Sequence, residues 1–295
     1  MWSVVCLTAG TGASGQYYFY NDRYYSGNLQ VELGPSAGMM NCLTDLGGRA
    51  GTGKRFTGDL NLRFSRPAAG LSATLMYRDR LGLQLAFTAG TVVAYDSILQ
   101  PVASTTFGRY ERNLSFRSRV AELRIAGEIH PLFFRYFDDD EAPFWSPYLL
   151  AGISLYHFNP MAALGEEWHS LRPLHTEGQG FAEYSGFRPY QLTQINLPLG
   201  IGVKYELSPR SYLRVELVHR ILFTDYLDDV SRKDYVDPNL FSKYLDPEEA
   251  ALALRLYQRD KSRSIGSQRG NPENRDSFFT VQLKLGMVLP AGRKR

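Results

Sequence analysis

Residues 277–289 alternate without a break. Phe279, Val281, Leu283, Leu285, Met287 and Leu289 fall on one side, and Phe278, Thr280, Gln282, Lys284 and Gly286 on the other. A period of two is the mark of a β-strand, whose successive side chains point to opposite faces. Seven earlier stretches share the period. The first, residues 28–42, sets Leu29, Val31, Leu33, Ala37 and Met39 against Gln30, Glu32, Ser36 and Gly38. Pro35 removes one ladder donor there, so a bulge or irregular pairing is expected. The second covers residues 71–77, and after a tight turn at Arg78-Asp79-Arg80 the third alternates over 81–90. The fourth (121–129), fifth (147–157), sixth (190–207) and seventh (213–223) follow, the last two joined at Ser208-Pro209-Arg210.

Eight strands, an even number, suit a single-chain transmembrane barrel, and the connections alternate as such a barrel requires. The two turns named above are tight. Segments 43–70, 96–113, 159–189 and 224–275 are long, which places them on the outer side with both termini inside. Only the connection of residues 130–146 departs, being medium-long where a short periplasmic turn is expected. A soluble barrel would carry its polar faces outward. Here the polar faces hold bulky charges and glycines while the apolar faces are uninterrupted, so the sequence predicts the inverted arrangement: an all-β, eight-stranded antiparallel transmembrane barrel. Its lumen would then hold Glu32, Glu122, Glu128, Glu206 and Glu216 beside Arg124, Lys204, Arg214, Arg220 and Lys284. Charges at that density must pair, because an isolated buried ion is very costly. The expectation is a lumen closed by an ion-pair network.

Composition sharpens this picture. Aromatic residues make up 13% of the 295, with 19 Tyr and 17 Phe, more tyrosine than a soluble core needs but suited to membrane-interface girdles. The mean hydropathy of -0.28 excludes a helical membrane bundle. A formal net charge of +3 with no dense basic run gives no nucleic-acid surface. At the start, the apolar run Trp2 to Ala9 and the small residues up to Gly15 resemble the end of a secretory signal, so residues 1–15 are expected to be a signal remnant and 16–295 one barrel domain. Cys42 would then be the single mature cysteine, with no intrachain disulfide.

Several motifs look chemical. Gly10-Thr11-Gly12-Ala13-Ser14-Gly15 matches the dinucleotide fingerprint, but it lies in the signal-like segment and precedes Tyr17-Tyr18-Phe19-Tyr20 instead of a helix. Gly48 to Lys54 approaches a phosphate-binding loop, yet Arg55 stands where a Ser or Thr should hold magnesium. His169 and His175 share a loop with Glu166, Glu167 and Ser170, which allows an outer-leaflet lipid-modifying enzyme as an alternative. No nucleophile is fixed beside a base, so no catalytic, cofactor or metal residue is assigned. Phe133, Phe134 and Tyr136 run into the acidic stretch Asp138-Asp139-Asp140-Glu141, a candidate partner contact on the inner side. Residues 241–259, with Pro247-Glu248-Glu249 early, read as a short amphipathic helix folding over the barrel mouth.

The last long loop carries a resemblance. Thr224-Asp225-Tyr226-Leu227-Asp228-Asp229-Val230-Ser231 and Tyr235-Val236-Asp237-Pro238 are similar to a motif of the PorG-like outer-membrane barrel family of the type IX secretion system. Arg269-Gly270-Asn271-Pro272 and Gly34-Pro35-Ser36-Ala37-Gly38 resemble the same family. The likeness spans about residues 29–289. The chain departs from the family at Asp276-Ser277-Phe278-Phe279, where an Asp-Trp-Tyr-like sequence is expected. What the resemblance implies is a non-enzymatic component in outer-membrane lipid, associated with a periplasmic secretion-ring lipoprotein and its partner subunit. A small pore and a surface-binding barrel remain the alternatives.

Overall fold

In the computed structural model, residues 28–48, 60–97, 103–135, 143–259 and 265–289 are described. Eight strands close on themselves: β1 (Leu29–Leu43), β2 (Arg66–Tyr77), β3 (Leu81–Tyr95), β4 (Ser115–Ile129), β5 (Trp145–Leu164), β7 (Thr193–Ser208), β8 (Ser211–Leu222) and β9 (Ser277–Leu289). A ninth short strand, β6 (Glu167–Ser170), pairs only with the upper end of β5. Each strand pairs antiparallel with its neighbours, β5 pairs directly with β7, and β1 seals the ring against β9. Closure leaves the barrel without exposed edges, which an apolar solvent demands because unpaired backbone groups there have no partner.

Alternation converts directly into sidedness. On β4 the residues Phe116, Ser118, Val120, Glu122, Arg124, Ala126 and Glu128 are all buried. Leu123 and Ile125, between them, are 49% and 52% exposed, whereas Arg214 and Glu216 on the inner face of β8 are 1% and 0% exposed. The outer belt of Leu83, Leu85, Phe87, Ile153, Leu199, Ile201 and Leu285 is likewise exposed. A soluble protein does not show contiguous apolar surface around its whole circumference. Among the described residues no helix is long and apolar enough to cross a membrane; the crossing is made by strands.

The three-residue turn after β2 puts both Arg78 and Asp79 at positive φ, 51° and 54°, the central positions of a tight turn closed by the Arg80 N–H donating to the Tyr77 carbonyl, whose twist matches the flanking strands. It shares one rim with the 209–210 turn, the 130–144 connection, the start of β1 and the end of β9. All the long connections meet at the opposite rim.

The sequence expectations differ from the structure at several strand ends. No register shift accompanies Pro35: β1 keeps one register against β2 throughout, with Pro35 opposite Leu71. Against β9 the ladder skips only Gly34 and Pro35, between the Leu33–Met287 and Ser36–Lys284 pairs. β2 begins at Arg66, five residues before the expected start, because its outward Pro67 and Ala69 lie above the strongly apolar belt and break the alternation visible in sequence. β3 and β4 likewise extend to Tyr95 and back to Ser115. The expected loop 159–189 is in part sheet, since β5 continues to Leu164 and returns as β6.

The other long loops are folded too. Helix α1 (Ala103–Arg112) lies between β3 and β4, and α2 (Asn239–Tyr244) and α3 (Pro247–Tyr257) lie between β8 and β9. Pro247 opens α3, with Glu248 and Glu249 in its first turn. There the missing proline N–H costs nothing and acidic groups face the positive end of the helix. Phe241, Leu256 and Tyr257 of these helices pack with Phe181 and Tyr235 into a buried apolar cluster over the mouth. The signal-like residues 1–15, the phosphate-loop-like residues 49–55 and the acidic run lie outside the described residues, apart from Gly48.

Candidate functional site

The lumen is filled by the charges that alternation turns inward. Glu32 on β1 accepts from Lys204 Nζ at 2.7 Å and from Arg214. Arg214 also meets Glu128 at 2.9 Å, and its guanidinium lies 5.1 Å from the ring centroids of both Tyr148 and Tyr212. Glu216 accepts from Arg124 at 2.7 Å and Lys284 at 2.9 Å, and Tyr148 donates its hydroxyl to the same carboxylate at 3.0 Å. Nearer the outer side Arg220 meets Glu122 at 2.7 Å, with Ser154 and Asn196 also donating to that acid. Glu206, half-buried at the inner mouth, lies 3.6 Å from Lys204. All ten predicted residues therefore face the interior, five acids against five bases. The tyrosine rings fit because each lies over a glycine on the neighbouring strand: a Cβ on Gly286, paired with Tyr212, would stand 2.2 Å from its ring, and one on Gly202, paired with Tyr148, 2.3 Å from that ring. The interior of an eight-stranded barrel is only wide enough for side chains, and here Arg124, Arg214, Arg220, Lys284, Tyr148, Tyr156 and Tyr212 occupy it.

At the inner end His130 Nδ1 lies 2.7 Å from Ser146 Oγ, and its Nε2 lies 3.4 Å from Glu128. The line resembles a nucleophile, base and orienting acid. The cavity beside it measures about 10 Å3, room for one water and no ester. Glu128 is moreover already held by Arg214 and Gln84. We read the line as part of the network.

Above the charges an aromatic column climbs to the cap. Tyr156 stacks on Phe158 at 5.4 Å, Phe158 on Tyr190 at 6.1 Å, and Tyr190 on Tyr226 at 4.7 Å. Tyr226 belongs to the loop motif singled out in sequence, and the structure shows what that motif does. Asp229 adopts φ +66°, a left-handed conformation that Asp tolerates better than most residues, and accepts from Tyr190 at 2.7 Å and from Thr176. Asp228 accepts from the N–H groups of Val230 and Leu46. Val230 and Tyr235 are buried, and the N–H of Ser231 donates to Glu177, as does that of Arg232. Arg269 donates to Glu177 at 2.9 Å. A Cβ on Gly270 would meet Val230 at 2.7 Å, so this close approach excludes any side chain. The N–H of Asn271 donates to Asp45 at 2.5 Å, and Asp237 begins the turn into α2 by accepting from Asn239. The two separate stretches, 225–237 and 269–271, are thus one buried latch. Asp225 lies half-buried at its edge.

Sequence reasoning missed three partners of this latch: Glu177, Arg112 and Asp96. Arg112 meets Asp96 at 2.8 Å and donates to the carbonyls of Asp45 and Arg269. Burial works against its charge, but Asp96 more than compensates and its pKa is raised. Four further acids lie close by; Arg112 and Arg109 bear on Asp45, and Arg112 on Asp228. Burial pushes Asp45 up to about 6. Burial, reinforced by Asp228 and Asp225, lifts Asp276 well above the carboxylate range; burial with Asp228 and Asp45 raises Asp225, and burial with Asp45 raises Asp228. Beside the latch opens a vestibule of about 760 Å3 lined by Arg109, Arg112, Arg269, Asn271, Asp45 and Phe64 among others.

The remaining sequence candidates do not converge. His169 lies 3.7 Å from Glu167, and His175 packs at 6.0 Å against Phe181. Among the described residues neither imidazole is hydrogen-bonded to a hydroxyl, and no group of three or more His, Cys, Asp or Glu is placed to hold a metal. Phe133 and Phe134 sit in a 3-10 turn at the inner rim, Phe134 being 55% exposed. Tyr136, Asp138, Asp139, Asp140 and Glu141 lie outside the described residues. Cys42 is buried and unpaired.

No family model and no curated protein matches the chain. Among solved structures it is similar to Neisserial surface protein A, with 11% identity over 88% of this chain and 97% of that one, at a TM-score of 0.39. Ail of Yersinia pestis in complex with the heparin analogue sucrose octasulfate gives 8% identity, coverage of 88% and 97%, and 0.37. OprG of Pseudomonas aeruginosa gives 10%, 89% and 96%, and 0.36. At such scores the assignment rests on closure and on the inverted polarity. The molecule is an outer-membrane β-barrel.

Proposed function

We propose that the barrel is a non-conducting and non-enzymatic anchor, whose work is done at its rims while its lumen is closed. The observation that supports this most is the lumen itself: Arg214, clamped between two tyrosines and two glutamates, blocks the axis along which a solute would move. The narrower form of the reading comes from the loop resemblance. It makes the anchored partner a periplasmic ring of the type IX secretion system, a lipoprotein and its partner subunit. The inner-rim connection around Phe133 and Phe134 would be the contact, because two phenylalanines beside an acidic run combine apolar anchoring with charge.

The test is a mild-detergent pull-down of the tagged barrel from its own envelope, run beside single-channel recording in a planar bilayer. Recovery of a periplasmic lipoprotein with a silent bilayer is the expected result. Steady ohmic conductance would remove the anchor reading, and a barrel recovered alone would remove the ring. Deleting residues 138–141 is expected to weaken ring association while leaving membrane insertion intact; unchanged co-purification would discard that contact. The vestibule favours one other reading, a surface-binding barrel, which predicts a ligand captured on intact cells and lost on changing Asn271 or Arg109.

A further inference from the structure

The outward face of the barrel is not uniformly apolar at its outer boundary. Going up β4, Ile129, Ile125, Leu123 and Ala121 face lipid, and the next two outward positions are Arg119 and Arg117. Alternate residues on one face stand about 6.7 Å apart, so the two guanidiniums form a vertical pair at the edge of the apolar belt. Arg117 lies 3.9 Å above the ring of Trp168 on β6, and its Nε has no hydrogen-bond partner. Nε is itself buried, so stacking fixes the guanidinium by its face and a ligand must be met by the terminal nitrogens. Arg119 is exposed, with Thr91 opposite it on β3 and Asn159 opposite it on β5. His157, one outward row below, is held by Thr193 at 3.0 Å through Nδ1.

This set is one-sided. The outward positions of β3, β4 and β5 contain no acid. The upper outward positions of β1, β2, β8 and β9 carry no arginine or lysine; beside Met39, Pro67, Ile221 and Phe279 the titratable group there is His219. Arginines that merely snorkel to the interface would not need a stacked ring or a polar row across three strands.

We propose that Arg117 and Arg119, with Trp168 as the platform, hold the phosphate of an outer-leaflet lipid headgroup. A phosphate placed between two guanidiniums accepts charge-assisted, bidentate hydrogen bonds that neither a neutral headgroup nor a single lysine reproduces. Its acyl chains would then lie along Leu123, Ile125 and Ile153, and the β5–β6 hairpin would stand over the headgroup.

The full barrel, purified with diphosphorylated lipid A as probe, is released from micelles in a native mass spectrometer, and the fraction retaining one lipid is read. Wild type is expected to retain it, and Arg117→Ala/Arg119→Ala to lose it by about tenfold or more. Arg119→Lys should fall between the two. Enzymatically dephosphorylated lipid A should not be retained. Equal retention by the double variant, or equal retention of the dephosphorylated lipid, overturns the site and leaves ordinary interfacial arginines. Loss of lipid on adding inorganic phosphate at millimolar concentration would also overturn it, since a headgroup anchored by its chains should not be displaced so easily. Should the double variant fail to fold, Arg119→Gln at its exposed position answers the same question.

Discussion

The lumen and the outer cap both bury ionisable groups but are differently charged. In the lumen five acids meet five bases, and every carboxylate touches a cation. In the cap Asp45, Asp225, Asp228 and Asp276 crowd one another, and Arg112, which bears on Asp45 and Asp228, is already engaged by Asp96. Burial disfavours a charged carboxylate in both places, so the difference lies in what compensates it. The lumen is compensated by opposite charge, and its acids serve as fixed ions. The cap is compensated by keeping protons on its acids, which makes it the part of the molecule that senses the medium.

The largest effect should come from unbalancing the lumen. Arg214→Ala leaves Glu32 and Glu128 without their shared partner, and breaking a buried pair from one side costs about 3–5 kcal/mol. The urea midpoint of the folded barrel, followed by heat-modifiable migration, should drop accordingly, and Glu128→Gln added to Arg214→Ala should recover part of the loss. An unshifted midpoint would mean that the network contributes little.

Next is the aromatic column joining the two regions. Phe158→Ala removes a fully buried ring between Tyr156 and Tyr190, at a cost of about 3–5 kcal/mol. If the column ties cap to barrel, limited proteolysis should open the loop of residues 223–276 while the strands stay intact. Simultaneous loss of both would show that they melt as one unit.

The cap should then reveal its charge state. Asp276 and its neighbours have raised pKa values in the folded state, so the folded form holds protons that the unfolded chain releases. Stability from these groups is complete below the ordinary carboxylate range and is lost as pH rises through the raised values, from near 6 for Asp45 upward. Proteolysis of the cap should accelerate on the alkaline side while the strands show no such dependence. Asp276→Asn should flatten the profile, since its amide carbonyl oxygen can take over the bond from the Leu227 N–H without a titrating proton. A profile unchanged by this substitution would place the pH dependence elsewhere. The smallest effect is expected on the outer surface, where Lys243→Ala breaks an exposed pair with Glu183 and should leave both transitions where they were.

The same contrast explains what was readable in the sequence. Every lumenal charge could be found, because alternation fixes the side on which a residue lies and membrane solvent leaves only one side for charge. The strand β9 was legible from Ser277 to Leu289 for that reason. Above the belt the solvent changes, and with it the rule. β2 starts at Arg66 and β5 runs on to Leu164, but outward Pro67, Ala69, Asn159 and Ala163 give no apolar stripe to follow. The latch was half visible: its motif stood out as a string of residues. Glu177, Arg112 and Asp96 come from other loops and are joined to it only in space. No local pattern marks a partner that lies tens of residues away in the chain.

The order of the lumenal charges along the chain bears on how the barrel is made. The first four strands carry Glu32, Glu122 and Glu128 against one base, Arg124. The last three carry Lys204, Arg214, Arg220 and Lys284 against Glu206 and Glu216. One half of the sheet is therefore anionic and the other cationic, and most of the pairs bridge the two halves. A half-inserted sheet would hold uncompensated ions in hydrocarbon, whereas the closed ring is neutral. Assembly should therefore be all-or-none, with the two halves drawn together by their own opposite signs before the β1–β9 seam locks.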